Sequence, residues 1–334
     1  MPSLRRPLLR SVPLVSAAAL TALVLAGCGT SAPPATGSTK EAAASTIDNC
    51  GTLLDITTTP ERIVTVKSTA TELLLALGLG DRIVGAAFQD GPVPEEWTGV
   101  DVPVISDFAP SQEAVLELEP DFVFVGWESM LTAEAAGERE SLTELGIGSY
   151  VSPAACKEAA YKPAKLTFDD VFAQITEAGR VFHAEEAAAA LVEEQRAALD
   201  DITADDRGLT ALWYSSGTDT PYVGAGIGAP QMMMESLGLT NIAGGIDDTW
   251  SPLGWESIVD ANPDVIVLVD ASWNTAASKI ELLESNPATA GLDAVAASRY
   301  LIVPFPAGEA GVRNVDATAD LAAQLAAMTA ITAG

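Results

Sequence analysis

One block of sequence occurs twice, and that repeat limits the fold more than any other feature. Glu113 to Val125 reads EAVLELEPDFVFV, and Glu256 to Leu268 reads ESIVDANPDVIVL. Each copy is a short helical stretch, a Pro-Asp break and an unbroken apolar run. A second pair of echoes lies upstream of the blocks: LGLGDRIVG from Leu77 to Gly85, and LGLTNIAG from Leu237 to Gly244. Downstream, Ser149 to Pro153 parallels Arg299 to Pro304. Two copies in the same order imply two lobes of similar topology.

The runs between Pro and Gly punctuation give strands near 62–66, 82–87, 121–126 and 148–152 in the first lobe, with helices near 69–78, 111–118 and 132–145. In the second lobe strands are expected near 209–215, 265–269 and 300–304, and helices near 229–238, 254–261, 276–285 and 316–331. Continuous apolar runs such as Val265 to Val269 are what parallel strands covered on both faces look like. Strand–helix alternation implies right-handed βαβ units. Between the lobes, Thr167, Asp169 and Asp170 supply helix-start chemistry. Apolar residues then recur at helical spacing from Val171 to Leu199. One long linking helix over 166–203 is expected, with Gly179 and His183 marking a candidate bend. The expected divisions are therefore 49–165 for the first lobe, 166–203 for the link and 204–334 for the second lobe.

The N-terminus carries a different signal. Arg5, Arg6 and Arg10 precede a small and apolar run from Val12 to Ala26, and Leu25-Ala26-Gly27-Cys28 follows. A basic start, a short apolar stretch and small residues before a cleavage point make a secretory signal over 1–27. The ending resembles the lipobox of bacterial lipoproteins, which implies that Cys28 is acylated, for example with palmitate, and becomes the new N-terminus. Residues 28–48 are rich in Ala, Ser, Thr and Pro and read as a tether. The chain is thus expected on the outer face of the cell membrane, held by lipid. Its formal net charge of −29 repels nucleic acid and argues against a nucleic-acid partner. With Cys28 lipidated, Cys50 and Cys156 remain. In an oxidising compartment they suggest one disulfide, two free thiols being the alternative.

The folded part resembles the substrate-binding lipoproteins of ABC importers for ferric siderophores, haem and cobalamin. The resemblance rests on Pro60 to Val64, on Thr71-Glu72 at a helix start and on Arg82 to Gly85. It also rests on both Pro-Asp blocks and on the linking helix. It implies an α/β fold of two pseudo-symmetric lobes with mainly parallel sheets, joined by one rigid helix, with cargo held in the cleft between them. It also implies that Glu113 and Glu256, at the same place in both copies, dock onto an ABC permease dimer coupled to its ATPase, with the receptor itself a monomer. Stretches such as Phe88 to Pro94, Tyr222 to Gln231 and Pro304 to Arg313 resemble an actinobacterial branch assigned to uptake of a deazaflavin cofactor precursor. A ferric siderophore, a corrinoid such as cobalamin, or haem is the alternative cargo. No cofactor of the protein's own is expected.

Ligands of such sheets bind beyond the carboxyl ends of the strands. The residues expected there are Lys67, Trp127, Lys157, Trp213, Tyr214, Trp250, Trp273 and Arg313. The aromatics suit a flat conjugated ligand, and the three cations suit an anionic one. Gly224-x-Gly226-x-Gly228 before a helix could offer backbone amides to an anion, or could be a plain turn. Met232 to Met234 read as helix core. The chain has one histidine, so a bare metal site and a Ser-His or Cys-His pair are both disfavoured. No Gly-x-Ser-x-Gly elbow is present. An exported hydrolase is therefore the weaker reading, and no enzyme activity is expected.

Overall fold

The computed structural model describes residues 45–162 and 164–328. The signal segment and the lipidation position Cys28 lie outside the described residues. The first described element is a hairpin of β1 (Thr46–Asn49) and β2 (Thr52–Asp55). Its two-residue loop is Cys50-Gly51, with φ of 51° and 83°. Positive φ at both loop positions is what the twist of a tight hairpin needs. Strand β1 starts ahead of the expected lobe boundary at 49, because Arg139 welds the hairpin to the first lobe. Its guanidinium donates to the Asn49 carbonyl oxygen and Oδ1 and to the Ser149 Oγ and carbonyl oxygen. The loop also brings Cys50 to Cys156, and the two form a disulfide with Cα atoms 5.3 Å apart.

The first lobe runs β3 (Ile63–Val66), α1 (Ser68–Ala76), β4 (Ile83–Ala87), β5 (Val104–Ser106), α2 (Gln112–Leu116), β6 (Phe122–Val125), α3 (Arg139–Glu144) and β7 (Gly148–Val151). Its sheet is wholly parallel in the order β5-β4-β3-β6-β7. Edge strand β5 and the shortness of α3 differ from the sequence expectation.

The link is helical but not one helix. Helix α4 (Phe168–Val181) ends at His183, whose φ is 53°, and α5 (Glu185–Asp200) folds back along it. Arg196 near the end of α5 pairs with Asp169 at the start of α4 at 2.7 Å and lies over the Phe172 ring. A side chain at Gly179 would collide with Ala188, so glycine permits the close approach. The turn is pinned through both ring nitrogens of His183, to Thr59 Oγ1 at 2.9 Å and to the Ile56 carbonyl at 2.7 Å. The expected single rigid helix is therefore corrected to an antiparallel pair. Helix α4 packs on the first lobe, with Phe182 against Phe122, Phe124 and Tyr150.

The second lobe follows as β8 (Thr210–Ser216), β9 (Tyr222–Gly224), α6 (Ala229–Ser236), β10 (Thr240–Asn241), β11 (Trp250–Pro252), α7 (Trp255–Ala261), β12 (Val265–Asp270), α8 (Ala276–Ser285), α9 (Asp293–Ala296), β13 (Tyr300–Pro304) and α10 (Asn314–Ala327). Its sheet has the order β11-β9-β8-β12-β13, with β10 also on β8. Strands β10, β12 and β13 run parallel to their partners, whereas β9 and β11 are antiparallel.

Alternate residues of the central strands enter different cores. Ile63, Trp213, Val267 and Val269 point into one cluster shared by both lobes, α4 and α10. Val64 and Val66 point into a core of the first lobe, and Leu212, Tyr214, Ile266 and Leu268 into a core of the second. Both faces of each sheet are covered, as the apolar runs require.

Candidate functional site

The carboxyl ends of both sheets face a cavity of about 470 Å³ between the lobes, within the range of small-molecule sites. The first lobe lines it with Thr69, Trp127, Glu128, Ser129, Ser152, Lys157 and Lys162. The second supplies Ser215, Ser216, Tyr222, Thr249, Trp250, Trp273, Phe305 and Glu309.

Trp127 follows β6, where Gly126 is obligatory: a side chain there would strike Thr69 and Lys67. Beneath the indole lies Lys67. Its Nζ is 3.6 Å from the Trp127 ring centroid and 4.0 Å from that of Phe88, and it forms a buried ion pair with Asp90. Burial pushes the Lys67 ammonium below its ordinary value, against the pull of Asp90. Lys67 has φ of 80°, a conformation uncommon for a residue with a side chain. The expected anion contact is corrected: Lys67 is a pedestal for Trp127, and its charge is already met.

Arg313 is likewise removed from the cavity. It crosses between lobes to Glu72, with Nη1 3.2 Å from Oε1, and lines a separate groove with Trp97 and Asp316. Burial raises the Glu72 carboxyl to about 7, Arg313 opposing. Trp213 and Tyr214 are corrected as well. Trp213 is fully buried, with Gly224 and Gly308 against its ring. Tyr214 is buried, and its hydroxyl donates to the Gly217 carbonyl at 2.6 Å. Strand β8 continues to Ser216, so the residues that reach the cavity are Ser215 and Ser216, one step further on.

Four expected residues do come together: Trp127, Lys157, Trp250 and Trp273. The Lys157 side chain makes no ion pair or hydrogen bond among the described residues, while its backbone N–H donates to Glu128. Trp250 stacks on Tyr222 with an interplanar angle of 13°. The antiparallel β9–β11 register, Trp250 opposite Gly224 and Pro252 opposite Tyr222, sets the two rings on one wall. Trp273 is 60% exposed at the mouth and meets Phe305 edge-on. Tyr222, Lys162 and Glu309 were not foreseen from sequence. Tyr222 opens β9, just ahead of the glycine loop whose amides could have met an anion. Those amides are in use: Ala225, Gly226 and Ile227 N–H donate to carbonyls of Thr249, Ile246 and Asp248. The loop is therefore a packed turn. Met232, Met233 and Met234 are buried core.

Among the described residues no group of His, Cys, Asp and Glu is placed to hold a metal ion, and no helix is long and apolar enough to cross a membrane. Glu113 and Glu256 are both exposed. They lie in the first turns of α2 and α7, the helices that precede the matching strands β6 and β12.

Two α/β lobes that close over one aromatic-walled cavity define a receptor for a small molecule. Residues 63–306 match the periplasmic binding protein family, and the chain belongs to that family; it is a binding protein and not an enzyme. It is 27% identical over 317 residues, 91% of this chain and 93% of the other, to the uncharacterized ABC transporter substrate-binding lipoprotein YvrC of Bacillus subtilis. A crystal structure of a periplasmic binding protein from Veillonella parvula superimposes with a TM-score of 0.75 at 23% identity, covering 85% of this chain and 98% of that one. A structure described as an ABC-type Fe3+-hydroxamate transport system from Saccharomonospora viridis gives a TM-score of 0.70 at 25% identity, covering 84% and 98%.

Proposed function

We propose that this chain is the extracytoplasmic substrate-binding receptor of an ABC importer, lipid-anchored through Cys28, which captures a flat conjugated organic molecule between its lobes. The observation that carries the cargo class is the cavity wall itself: Trp127 from one lobe faces a cavity shared with the parallel Tyr222–Trp250 pair from the other. Face-to-face contact with such walls favours planar ligands. The proposed cargo is a deazaflavin cofactor precursor. With Lys67 and Arg313 already paired, Lys157 and Lys162 are the cavity's cations, and Lys162 itself lies 3.5 Å from Asp248. This balance supports a phosphate-free or short-tailed form over a polyanionic one. Titration with a deazaflavin riboside, followed by quenching of tryptophan emission, tests the reading. Absence of quenching refutes it.

A second reading is a ferric hydroxamate, supported by the likeness to the Saccharomonospora protein. Titration with ferrichrome, and mass spectrometry of whatever natively purified protein retains, separate the two.

The paired positions of Glu113 and Glu256 support docking onto a pseudo-two-fold permease. A carboxylate in a helix's first turn also steadies that helix. The double variant Glu113→Ala, Glu256→Ala is therefore expected to bind cargo normally while uptake fails. Normal uptake by that variant removes the docking role.

A further inference from the structure

The hydrogen bond from Trp127 Nε1 to Glu309 Oε2, 3.0 Å long, joins the lobes at the cavity and leaves half of a carboxyl group unused. Glu309 Oε1 makes no hydrogen bond among the described residues and is not sealed off. Glu309 lines the cavity. Its surroundings decide its protonation. Lys67 lies behind Trp127, but Asp90 already neutralises it. An ionised Glu309 would add an unmatched negative charge to a desolvated cluster. Burial pushes this carboxyl above its ordinary value, Asp90 adds to the rise, and the Trp127 bond and Lys67 oppose it. Glu128, Lys157 and Lys162 are the other charged groups of the cavity. With Oε2 accepting from the indole, the proton belongs on Oε1 and turns toward the cavity.

We propose that Glu309 is the specificity-determining polar contact of this site, a neutral carboxyl whose Oε1–H donates to a carbonyl oxygen on the edge of a flat conjugated cargo. The inference rests on the flat-cargo reading and deepens it by naming the complementary group. It selects for ring carbonyls, as in an imide or a lactam, and against cationic edges, which call for an ionised carboxylate.

The test uses lumiflavin, a flat ring with imide carbonyls that stays largely uncharged over this range, titrated against the full chain at about pH 6 and about pH 9. Wild-type affinity is expected to fall as pH rises and Oε1 loses its proton. Glu309→Leu is expected to bind about tenfold more weakly at the lower pH, the scale of one lost neutral hydrogen bond. Glu309→Gln retains an acceptor for Trp127 and a donor for the ligand. It is expected to recover most of that loss and to abolish the pH dependence. Loss in Glu309→Gln as large as in Glu309→Leu overturns the proposal, since an ionised carboxylate is then what the ligand needs. Unchanged binding by Glu309→Leu also overturns it, while the flat-cargo reading stands. If wild-type protein does not bind lumiflavin, the flat-cargo reading and this assignment fall together.

Discussion

The two lobes share a plan and diverge at one place. In the first, β4 runs the whole length of β3, from Ile63 opposite Ile83 to Val66 opposite Ala87. In the second, the equivalent strand β10 is only two residues long and pairs with Thr210 and Ala211 at the start of β8. The upper edge of β8 is thereby freed, and the antiparallel β9–β11 pair takes it, from Tyr214 opposite Val223 to Ser216 opposite Tyr222. That exchange sets Tyr222 and Trp250 beside the cavity. The first lobe has no such wall and contributes Trp127 on its Lys67 pedestal, with the 153–162 segment tied by Cys156. Shortening one strand has thus converted a structural edge into a binding surface.

The comparison can be broken by substitutions that treat the lobes unequally. Trp213 sits in the middle of β8 and Trp127 just past the end of β6, and only Trp127 lines the cavity. Trp213→Ala is expected to cost about 3–5 kcal/mol of stability through the void it leaves, measured by urea unfolding. A cost below about 1 kcal/mol would return Trp213 to the cleft. Replacing Cys50 and Cys156 by serine opens a loop spanning 106 positions and is expected to cost about 2–5 kcal/mol. Proteolysis should then cut first in the 153–162 segment; first cuts in the second lobe would show that the bridge does not hold the first.

Glu72 tests the seam between the lobes. Its folded value of about 7 lies above the ordinary 4.5, so the folded state holds its proton more tightly. Stability from this group is complete below about pH 4.5 and declines as pH rises toward about 7, by up to about 3 kcal/mol. Glu72→Gln is expected to flatten that decline in urea midpoints taken at about pH 5 and pH 8; an unchanged decline assigns it to other groups. Trp250→Ala removes one face of the stacked wall and is expected to weaken a flat ligand about tenfold with little loss of stability. Equal weakening of a compact, non-planar ligand would refute the stacking role. The smallest effect belongs to Lys157→Ala: under about 1 kcal/mol at this exposed position, seen with anionic ligands and absent with neutral ones.

Much of the fold was legible because the repeat fixes it. Strands β3, β4, β6, β8, β12 and β13 fall where the apolar runs put them. Strands β9 to β11 were not visible, since two- and three-residue strands have no period to read. The linking segment showed its helical period but not its reversal, which depends on Gly179 meeting Ala188. In the site, Trp127, Trp250 and Trp273 were legible as aromatics beyond strand ends. Trp213 and Tyr214 were misplaced because they lie inside β8 and turn into the cores on its two faces, not past its end. Lys67 and Arg313 looked free because their partners, Asp90 and Glu72, stand 23 and 241 positions away. The signal for Glu309 was an acid alone among the small and apolar residues of the 304–312 loop, and nothing in that run told which oxygen the indole would take.

The core shared by both lobes has a consequence for kinetics. Ile63, Phe172, Trp213, Val267 and Leu321 belong to one continuous cluster. Swinging the lobes apart would expose part of it to water on every visit of a ligand. The lobes should therefore melt in a single calorimetric transition, and cargo should enter and leave through fluctuations at the rim, where Trp273 and Lys157 stand. Residence time then depends on how often that rim opens, not on a hinge.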